Sequence, residues 1–140
     1  MSPIYDHFLM DGWGFVPAAS LFFAFVIGHA LADYPLQGEF LAMGKNRHHA
    51  SSLPNTGRGS PSHVWVHCLT SHSLIHAGTV WIVTGLFSYA VAEFVLHWII
   101  DYLKCENVTS FTQDQLLHMV CKGVFVFLLW LDVGVPASAL

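Results

Sequence analysis

The hydrophobic positions of the chain fall into long runs separated by polar or turn-forming residues. The first run ends just before Pro35, because the residue that precedes a proline is pushed out of the helical region. The apolar stretch over residues 63–104 is too long for one membrane crossing of about 20 residues, so we expect a tight turn near residues 85–89 to divide it. The pattern predicts an all-α protein, an integral membrane bundle of about four transmembrane helices. The predicted spans cover residues 15–33, 63–84, 87–104 and 112–131.

The composition favours a membrane domain over a soluble one. Hydrophobic residues make up 54% of the 140 residues and charged residues only 10%, whereas a soluble domain carries about 25% charged residues. So few charges do not cover a soluble surface, while a lipid-facing surface needs none. We therefore expect a single membrane domain over residues 1–140, with the lipid bilayer as its partner and no nucleic acid, since there is no basic stripe. The sequence leaves open whether the bundle forms a homo-oligomer or binds a partner subunit.

The basic residues predict the orientation of the bundle. Lys45, Arg47 and Arg58 lie in the polar connection over residues 34–62, and one further lysine lies between the third and fourth spans. The positive-inside rule places both connections in the cytoplasm and both termini outside it. Residues 1–13 contain no Lys or Arg, which is the wrong pattern for a cleavable secretory signal, so we expect the first span to be retained.

Histidine is unusually frequent and regularly placed. The ten histidines outnumber the nine Asp and Glu residues together. Each predicted span carries a pair of ionisable residues four positions apart, a spacing that puts both side chains on one face of a helix. Helical bundles build metal sites from such faces, with His and carboxylate side chains projecting inward. The four pairs are His29 and Asp33, His72 and His76, His97 and Asp101, and Asp114 and His118.

The predicted depth of these residues indicates one shared site. Asp33, Asp101 and Asp114 lie near the cytoplasmic ends of their helices, and a histidine lies about one turn deeper than each. A carboxylate at the centre of a membrane costs about 2.5–3.5 kcal/mol on insertion scales, so such residues usually face the bundle interior and mark function. Imidazole and carboxylate ligands suit zinc, our first expectation, and also iron or manganese. The predicted metal ligands are His29, Asp33, His72, His97, Asp101, Asp114 and His118.

The remaining histidines are left out of the predicted site. His76 shares a face with His72 but is not included among the predicted ligands, and His67 lies on the face opposite His72. The histidines in or beside the polar connection, His48, His49 and His63, are expected to be solvated. A single histidine in a membrane helix is more often an interhelical hydrogen-bond partner than a metal ligand.

Other polar side chains lie close to the predicted ligands in the sequence. Glu93 stands one turn from His97 and is a further ligand, a general base or a buried hydrogen-bonded carboxyl. Lys104 follows Asp101 by three residues and is either an ion-pair partner or a clamp for an anion at a catalytic site. The residues expected to bind the substrate phosphate are Gln37, Lys45 and Gln115.

These motifs resemble a family of small bacterial inner-membrane proteins that is known only as a domain of unknown function. The resemblance rests on HALADYPLQ over residues 29–37, on Lys45 and His72, on HWIIDYLK over residues 97–104 and on DQLLH over residues 114–118. It covers about residues 20–122 and implies a bacterial inner-membrane location, but no activity. A more remote likeness is to membrane-bound proteins predicted to be metal-dependent hydrolases, and to helical zinc phospholipase C and nuclease proteins.

The leading functional hypothesis is a membrane-embedded metal-dependent hydrolase of a phosphoester or lipid-linked substrate at the cytoplasmic face. A metal-bound water is the expected nucleophile, and Glu93 or one of the Asp residues is the expected base. One alternative is metal or proton transport, although the outer half of the bundle offers few polar groups for a relay. Another is a structural or accessory subunit whose His and Asp side chains form a hydrogen-bond network between helices.

Overall fold

The structure is a computed structural model that describes residues 2, 6, 14–49 and 63–135, and these residues form helices and no strand. The prediction of an all-α protein is confirmed. Arg58, which contributed to the predicted orientation, lies outside the described residues. The helices are α1 (Phe15–Asp33), α2 (Gly38–Gly44), α3 (Val64–Thr84), α4 (Phe87–Cys105) and α5 (Phe111–Trp130).

Local sequence signals set the ends of the long helices. α1 ends two residues before Pro35, as the proline requires. α3 ends at Thr84, and Gly85 is its C-cap. The φ of Gly85, 71°, is the left-handed conformation that glycine adopts readily, and its N–H donates to the Trp81 carbonyl at 2.7 Å. α5 begins with a capping box, in which the Ser110 hydroxyl accepts from the Gln113 N–H and the Gln113 side chain accepts from the Ser110 N–H.

The four long helices form an antiparallel bundle. α1 packs against α3 and α5, and α4 packs against the same two helices on the other side. Each long helix begins and ends within one residue of a predicted span. The turn between α3 and α4 falls at residues 85–86, at the start of the predicted range.

The connection between α1 and α3 differs from the prediction. Residues 34–62 were expected to form a loop, but α2 occupies Gly38–Gly44 and packs against α3. A helix of seven residues spans only two turns, so it leaves no apolar periodicity in the sequence. Because α2 lies against the bundle, the residue that follows it, Lys45, is buried.

The interior of the bundle is apolar at one end and polar at the other. The apolar cluster consists of Leu21, Phe25, Val80, Val83, Leu86, Tyr89, Phe125 and Leu129. The buried side chains at the opposite end include His29, Lys45, His72, His76, His97, Asp101, Asp114 and His118. Glu93 and Lys122 are buried between these two regions.

The exterior of the bundle carries rows of exposed hydrophobic side chains at helical spacing. One row on α1 consists of Phe23, Ile27 and Leu31. A second on α4 consists of Phe87, Val91, Val95 and Ile99, and a third on α5 consists of Leu116, Val120 and Val124. At its polar end the bundle therefore has ionisable side chains inside and apolar side chains outside, which is the reverse of the arrangement in soluble proteins.

Within the described part of the chain, one helix meets the length and hydropathy requirements of a membrane span. This is α1, with 19 residues, a mean hydropathy of 1.9 and 22% of its window buried in the bundle. The other long helices carry most of the buried His, Asp, Glu and Lys side chains, and these lower their mean hydropathy.

Candidate metal centre

The centre begins at the C-terminal end of α1, where His29 and Asp33 share one face. The Asp33 carboxylate lies between α1 and α3. Its Oδ2 is 3.2 Å from Nε2 of His29, and its Oδ1 is 3.2 Å from Nε2 of His76 and 3.4 Å from Nε2 of His72. Asp33 therefore brings histidines of two helices to one carboxylate.

Asp101, in the last turn of α4, likewise lies beside histidines of two other helices. Its Oδ2 accepts a hydrogen bond of 2.6 Å from Nζ of Lys45 and lies 3.4 Å from Nε2 of His72. Its Oδ1 lies 3.5 Å from Nε2 of His118 on α5. The two oxygens of Asp101 thus face histidines of different helices.

Asp114 in the first turn of α5 completes the set of carboxylates. Its Oδ1 lies 3.6 Å from Nε2 of His118, one turn along the same helix. Its Oδ2 lies 3.2 Å from Nζ of Lys104 and accepts a hydrogen bond of 3.2 Å from the Gln115 amide. The same amide also donates to Oδ2 of Asp33 at 3.1 Å, so Gln115 connects two of the carboxylates.

Five imidazole rings lie between these carboxylates. They belong to His29, His72, His76, His97 and His118, and each residue is between 0% and 4% exposed. The ring of His97 stacks between those of His76 and His118, with centroid separations of 3.6 Å and 4.1 Å. Histidine side chains from all four long helices therefore form one compact group.

Several buried polar atoms in this group have no hydrogen-bond partner. Both ring nitrogens of His72 and of His97 are unpaired, as are Nε2 of His118 and Oδ1 of Asp114. A buried polar atom without a partner costs about 1–3 kcal/mol, and most such atoms in native proteins are paired. A cation among them would give these atoms a ligand bond, so the donor set fits a metal.

Three groups of side chains can each hold a metal ion, because their ligand atoms lie within 4.8 Å of one another. The first group is Asp33, His72, His76 and His97. The second is His29, His97 and His118, and the third is Asp101, Asp114 and His118. Imidazole nitrogens and carboxylate oxygens are ligands for zinc, iron and manganese alike, so the donors do not identify the metal.

Charged side chains surround the centre. Nζ of Lys45 donates to Oε1 of Gln37 at 3.0 Å in addition to Asp101, so two of the three residues predicted to bind phosphate lie on this side of the centre. Below the imidazoles, Glu93 forms a buried ion pair with Lys122 and lies 3.4 Å from Nδ1 of His97. Glu93 is thus a buried carboxyl with a charged partner.

An ion pair at the surface holds the turn that carries Lys45. Arg47 donates to Glu106 at 2.5 Å and so connects this turn to the end of α4. The hydrogen bond raises the pKa of the Arg47 guanidinium.

The structure brings all seven sequence-predicted ligands into the three groups, together with one residue that the prediction left out. That residue is His76, which is fully buried and lies 3.2 Å from Asp33. Its spacing of four from His72 was the available signal, because it puts both rings on one face.

The four other histidines that the structure describes lie outside the centre. His48, His49, His63 and His67 are all exposed. None of them belongs to a metal-capable group among the described residues.

The family described as "Protein of unknown function (DUF3307)" matches residues 21–136 of the chain, and the chain belongs to this family. No curated protein and no solved structure matches it. The match extends from the first turns of α1 past the end of α5, so it includes every member of the candidate centre.

Proposed function

We propose that this member of the DUF3307 family is a membrane-embedded, metal-dependent hydrolase that acts on a phosphoester or lipid-linked substrate at the cytoplasmic face. The observation that carries the proposal is the group of five buried histidines and three Asp carboxylates with unpaired ligand atoms. A soluble protein would expose the apolar rows of the bundle to water, and a purely hydrogen-bonded network would leave these ligand atoms unpaired.

The dimensions and surface of the bundle support a membrane location. The long helices have 19, 21, 19 and 20 residues, which corresponds to about 28–32 Å and matches a hydrocarbon layer of about 30 Å. The exposed apolar rows would contact lipid tails, and the charged side chains inside would avoid them. α1 supplies His29 and Asp33 to the centre, so its role extends beyond that of a removable leader.

The proposed opening of the centre lies beside the ends of α1 and α4. The Asp33 side chain is 13% exposed and that of Lys104 is 27% exposed, whereas the Asp101 and Asp114 side chains are at most 3% exposed. A substrate phosphate that enters here meets the Lys104 ammonium first. Gln115, which is half-buried, can donate to the same phosphate after turning from Asp33.

The reaction uses these groups in different roles. A bound divalent metal would supply Lewis acidity and lower the pKa of a coordinated water toward ~7. Asp33 is the carboxylate closest to the opening, and its Oδ2 accepts the proton that the water releases. Glu93 is not assigned the role of base, because it pairs with Lys122 on the far side of His97, where its Oε1 lies 3.4 Å from Nδ1 of that ring.

The arrangement of the interior argues against a transmembrane relay. The buried charged groups of the described residues end at Glu93 and Lys122, and the apolar cluster from Leu21 to Leu129 fills most of the bundle beyond them. A transported proton or metal would need polar groups or water through this region. The polar end is therefore open to one side of the membrane only.

The proposal is tested by elemental analysis of detergent-purified protein that has never met a chelator. We expect near-stoichiometric zinc, iron or manganese in the wild type and its loss in His97→Ala and in Asp101→Ala. His67→Ala is the matched control, because His67 is exposed and should keep the metal. Hydrolysis of p-nitrophenyl phosphate and of bis-p-nitrophenyl phosphate is then measured on the same preparations.

Two results would contradict the proposal. Metal retained by both His97→Ala and Asp101→Ala would refute the site. Folded wild-type protein without metal above background would favour an accessory subunit, in which Asp101→Asn should preserve the fold and the partner.

A further inference from the structure

We infer that the centre binds two divalent metal ions, with the Asp101 carboxylate as a bridge between them; this inference rests on the proposed metal-dependent function. It assigns the ligands to two positions and narrows the substrate to a phosphoester. The evidence is the number of ligands, the direction of the carboxylate oxygens and the charge of the centre.

The centre holds more ligand side chains than one ion can use. Eight ligand-capable residues are present, namely His29, Asp33, His72, His76, His97, Asp101, Asp114 and His118. Zinc in proteins is usually bound by about four ligands, and hexacoordinate metals take about six. Two of the metal-capable groups, Asp33 with His72, His76 and His97, and Asp101 with Asp114 and His118, share no residue.

The Asp101 carboxylate faces both groups. Its Oδ2 lies 3.4 Å from Nε2 of His72 in the first group, and its Oδ1 lies 3.5 Å from Nε2 of His118 in the second. A carboxylate that offers one oxygen to each of two neighbouring ligand sets has the geometry of a bridging ligand. Two-metal centres hold their ions about 3.5–4 Å apart, a distance that one carboxylate can span.

The first metal position is formed by α1 and α3. Nε2 of His72 and Nε2 of His76 both lie beside Oδ1 of Asp33, at 3.4 Å and 3.2 Å. Together with Oδ2 of Asp101 they provide two nitrogens and two oxygens. Oδ2 of Asp33 points away from this set toward His29 and Gln115, so it remains available for a proton.

The second metal position is formed by α5 with α1. Nε2 of His118 lies 3.6 Å from Oδ1 of Asp114 and faces Oδ1 of Asp101, and neither the ring nitrogen nor the Asp114 oxygen has a hydrogen-bond partner. The His29 ring lies 5.0 Å from that of His118, and His29 forms a metal-capable group with His97 and His118. His97 stacks between His76 and His118, so it can serve either ion.

The charge of the centre indicates what a two-metal site would bind. Three Asp carboxylates face two ammonium groups, those of Lys45 and Lys104, so the centre carries one excess negative charge when its histidines are neutral. Two divalent ions change this to a surplus of positive charge that a phosphate dianion and a hydroxide can balance. Two metals also stabilise the attacking and leaving oxygens of an in-line displacement at phosphorus.

The experiment counts metal ions per chain in protein that has been loaded with Mn²⁺ and desalted. We expect about two ions per chain in the wild type, and about one in His76→Ala, which alters the first position, and in Asp114→Asn, which alters the second. Gly78→Ala serves as the control, because its methyl group would meet no atom within 4 Å.

Electron paramagnetic resonance gives a second readout, which the wild type alone already supplies. Two Mn²⁺ ions bridged by a carboxylate give an exchange-coupled spectrum, and we expect this spectrum in the wild type. In each single-site variant we expect the spectrum of an isolated ion. One ion per chain with an uncoupled spectrum would overturn the two-metal inference and leave the proposed function standing. No bound Mn²⁺, zinc or iron in folded protein would overturn both.

Discussion

The buried ion pair between Glu93 on α4 and Lys122 on α5 gives the sharpest test of the interior that the structure describes. Each residue is 1% exposed, and the pair lies between the imidazoles and the apolar cluster. Replacing Lys122 by methionine keeps an unbranched side chain that is one atom shorter, and removes the ammonium charge together with its hydrogen-bond donors. The change leaves the Glu93 carboxylate in a region with no other lysine or arginine contact among the described residues.

The expected loss of stability follows from that uncompensated charge. Removal of one partner from a buried ion pair destabilises a protein by about 3–5 kcal/mol, whereas replacement of both by apolar residues is often close to neutral. We therefore expect Lys122→Met to lower the free energy of unfolding by about 3–5 kcal/mol, a large part of the usual ~5–15 kcal/mol. Lys122→Met combined with Glu93→Leu should recover most of this loss.

The assay is unfolding by sodium dodecyl sulfate in mixed micelles, followed by circular dichroism. Arg47→Gln is the control, because it breaks an exposed pair with Glu106 and should leave the unfolding curve unchanged. A Lys122→Met protein within about 1 kcal/mol of the wild type would refute the buried pair. So would a double variant as unstable as the single one, because the loss would then come from packing.

Two further predictions concern the contact of α1 with α3 and the entrance of the centre. In Gly28→Ala the new methyl group would lie 3.1 Å from Cβ of Thr79, so we expect the free energy of unfolding to fall by about 1 kcal/mol in the same assay, because overpacking outweighs the gain in helix propensity. Gly78→Ala is the control, because its methyl group has open space and should not change the stability. Equal losses of stability in both variants would contradict the close approach of α1 to α3. Lys104→Met should lower kcat/KM for a phosphoester about tenfold to a hundredfold while the metal content is retained, because a charged hydrogen bond to the phosphate is lost. Lys104→Arg should keep most of the activity. An equal loss of kcat/KM for an uncharged ester would show that Lys104 does not bind the phosphate.

The long helices could be predicted from the sequence because their boundaries are local. Pro35, Gly85 and Ser110 each end or begin a helix through the conformation or hydrogen bonds of neighbouring residues. α2 could not be predicted in this way, because it forms against α3 and has no apolar period of its own. The burial of Lys45 depends on that contact, so a residue expected only to bind substrate also holds Asp101.

The ligand set was predictable wherever two ligands share one helix. The spacing of four identified His29 with Asp33, and His97 with Asp101, without knowledge of how the helices pack. The same spacing pairs His76 with His72, but only packing shows that His76 reaches Asp33 on another helix. The partnership of Glu93 with Lys122 is likewise a product of two helices, which neither sequence segment reveals alone.

Asp33 is the carboxylate at which the proposed metal centre and a hydrogen-bonded network differ most. The other buried carboxylates each contact a lysine, in the pairs Asp101 with Lys45, Asp114 with Lys104, and Glu93 with Lys122. Among the described residues Asp33 contacts only histidines and Gln115, and it lies in the last turn of α1, where the helix dipole disfavours a negative charge. A network without a cation therefore offers the Asp33 carboxylate no permanently charged partner among the described residues. A divalent ion beside its Oδ1 would supply such a charge, and two histidines that could hold the ion already lie beside the same oxygen.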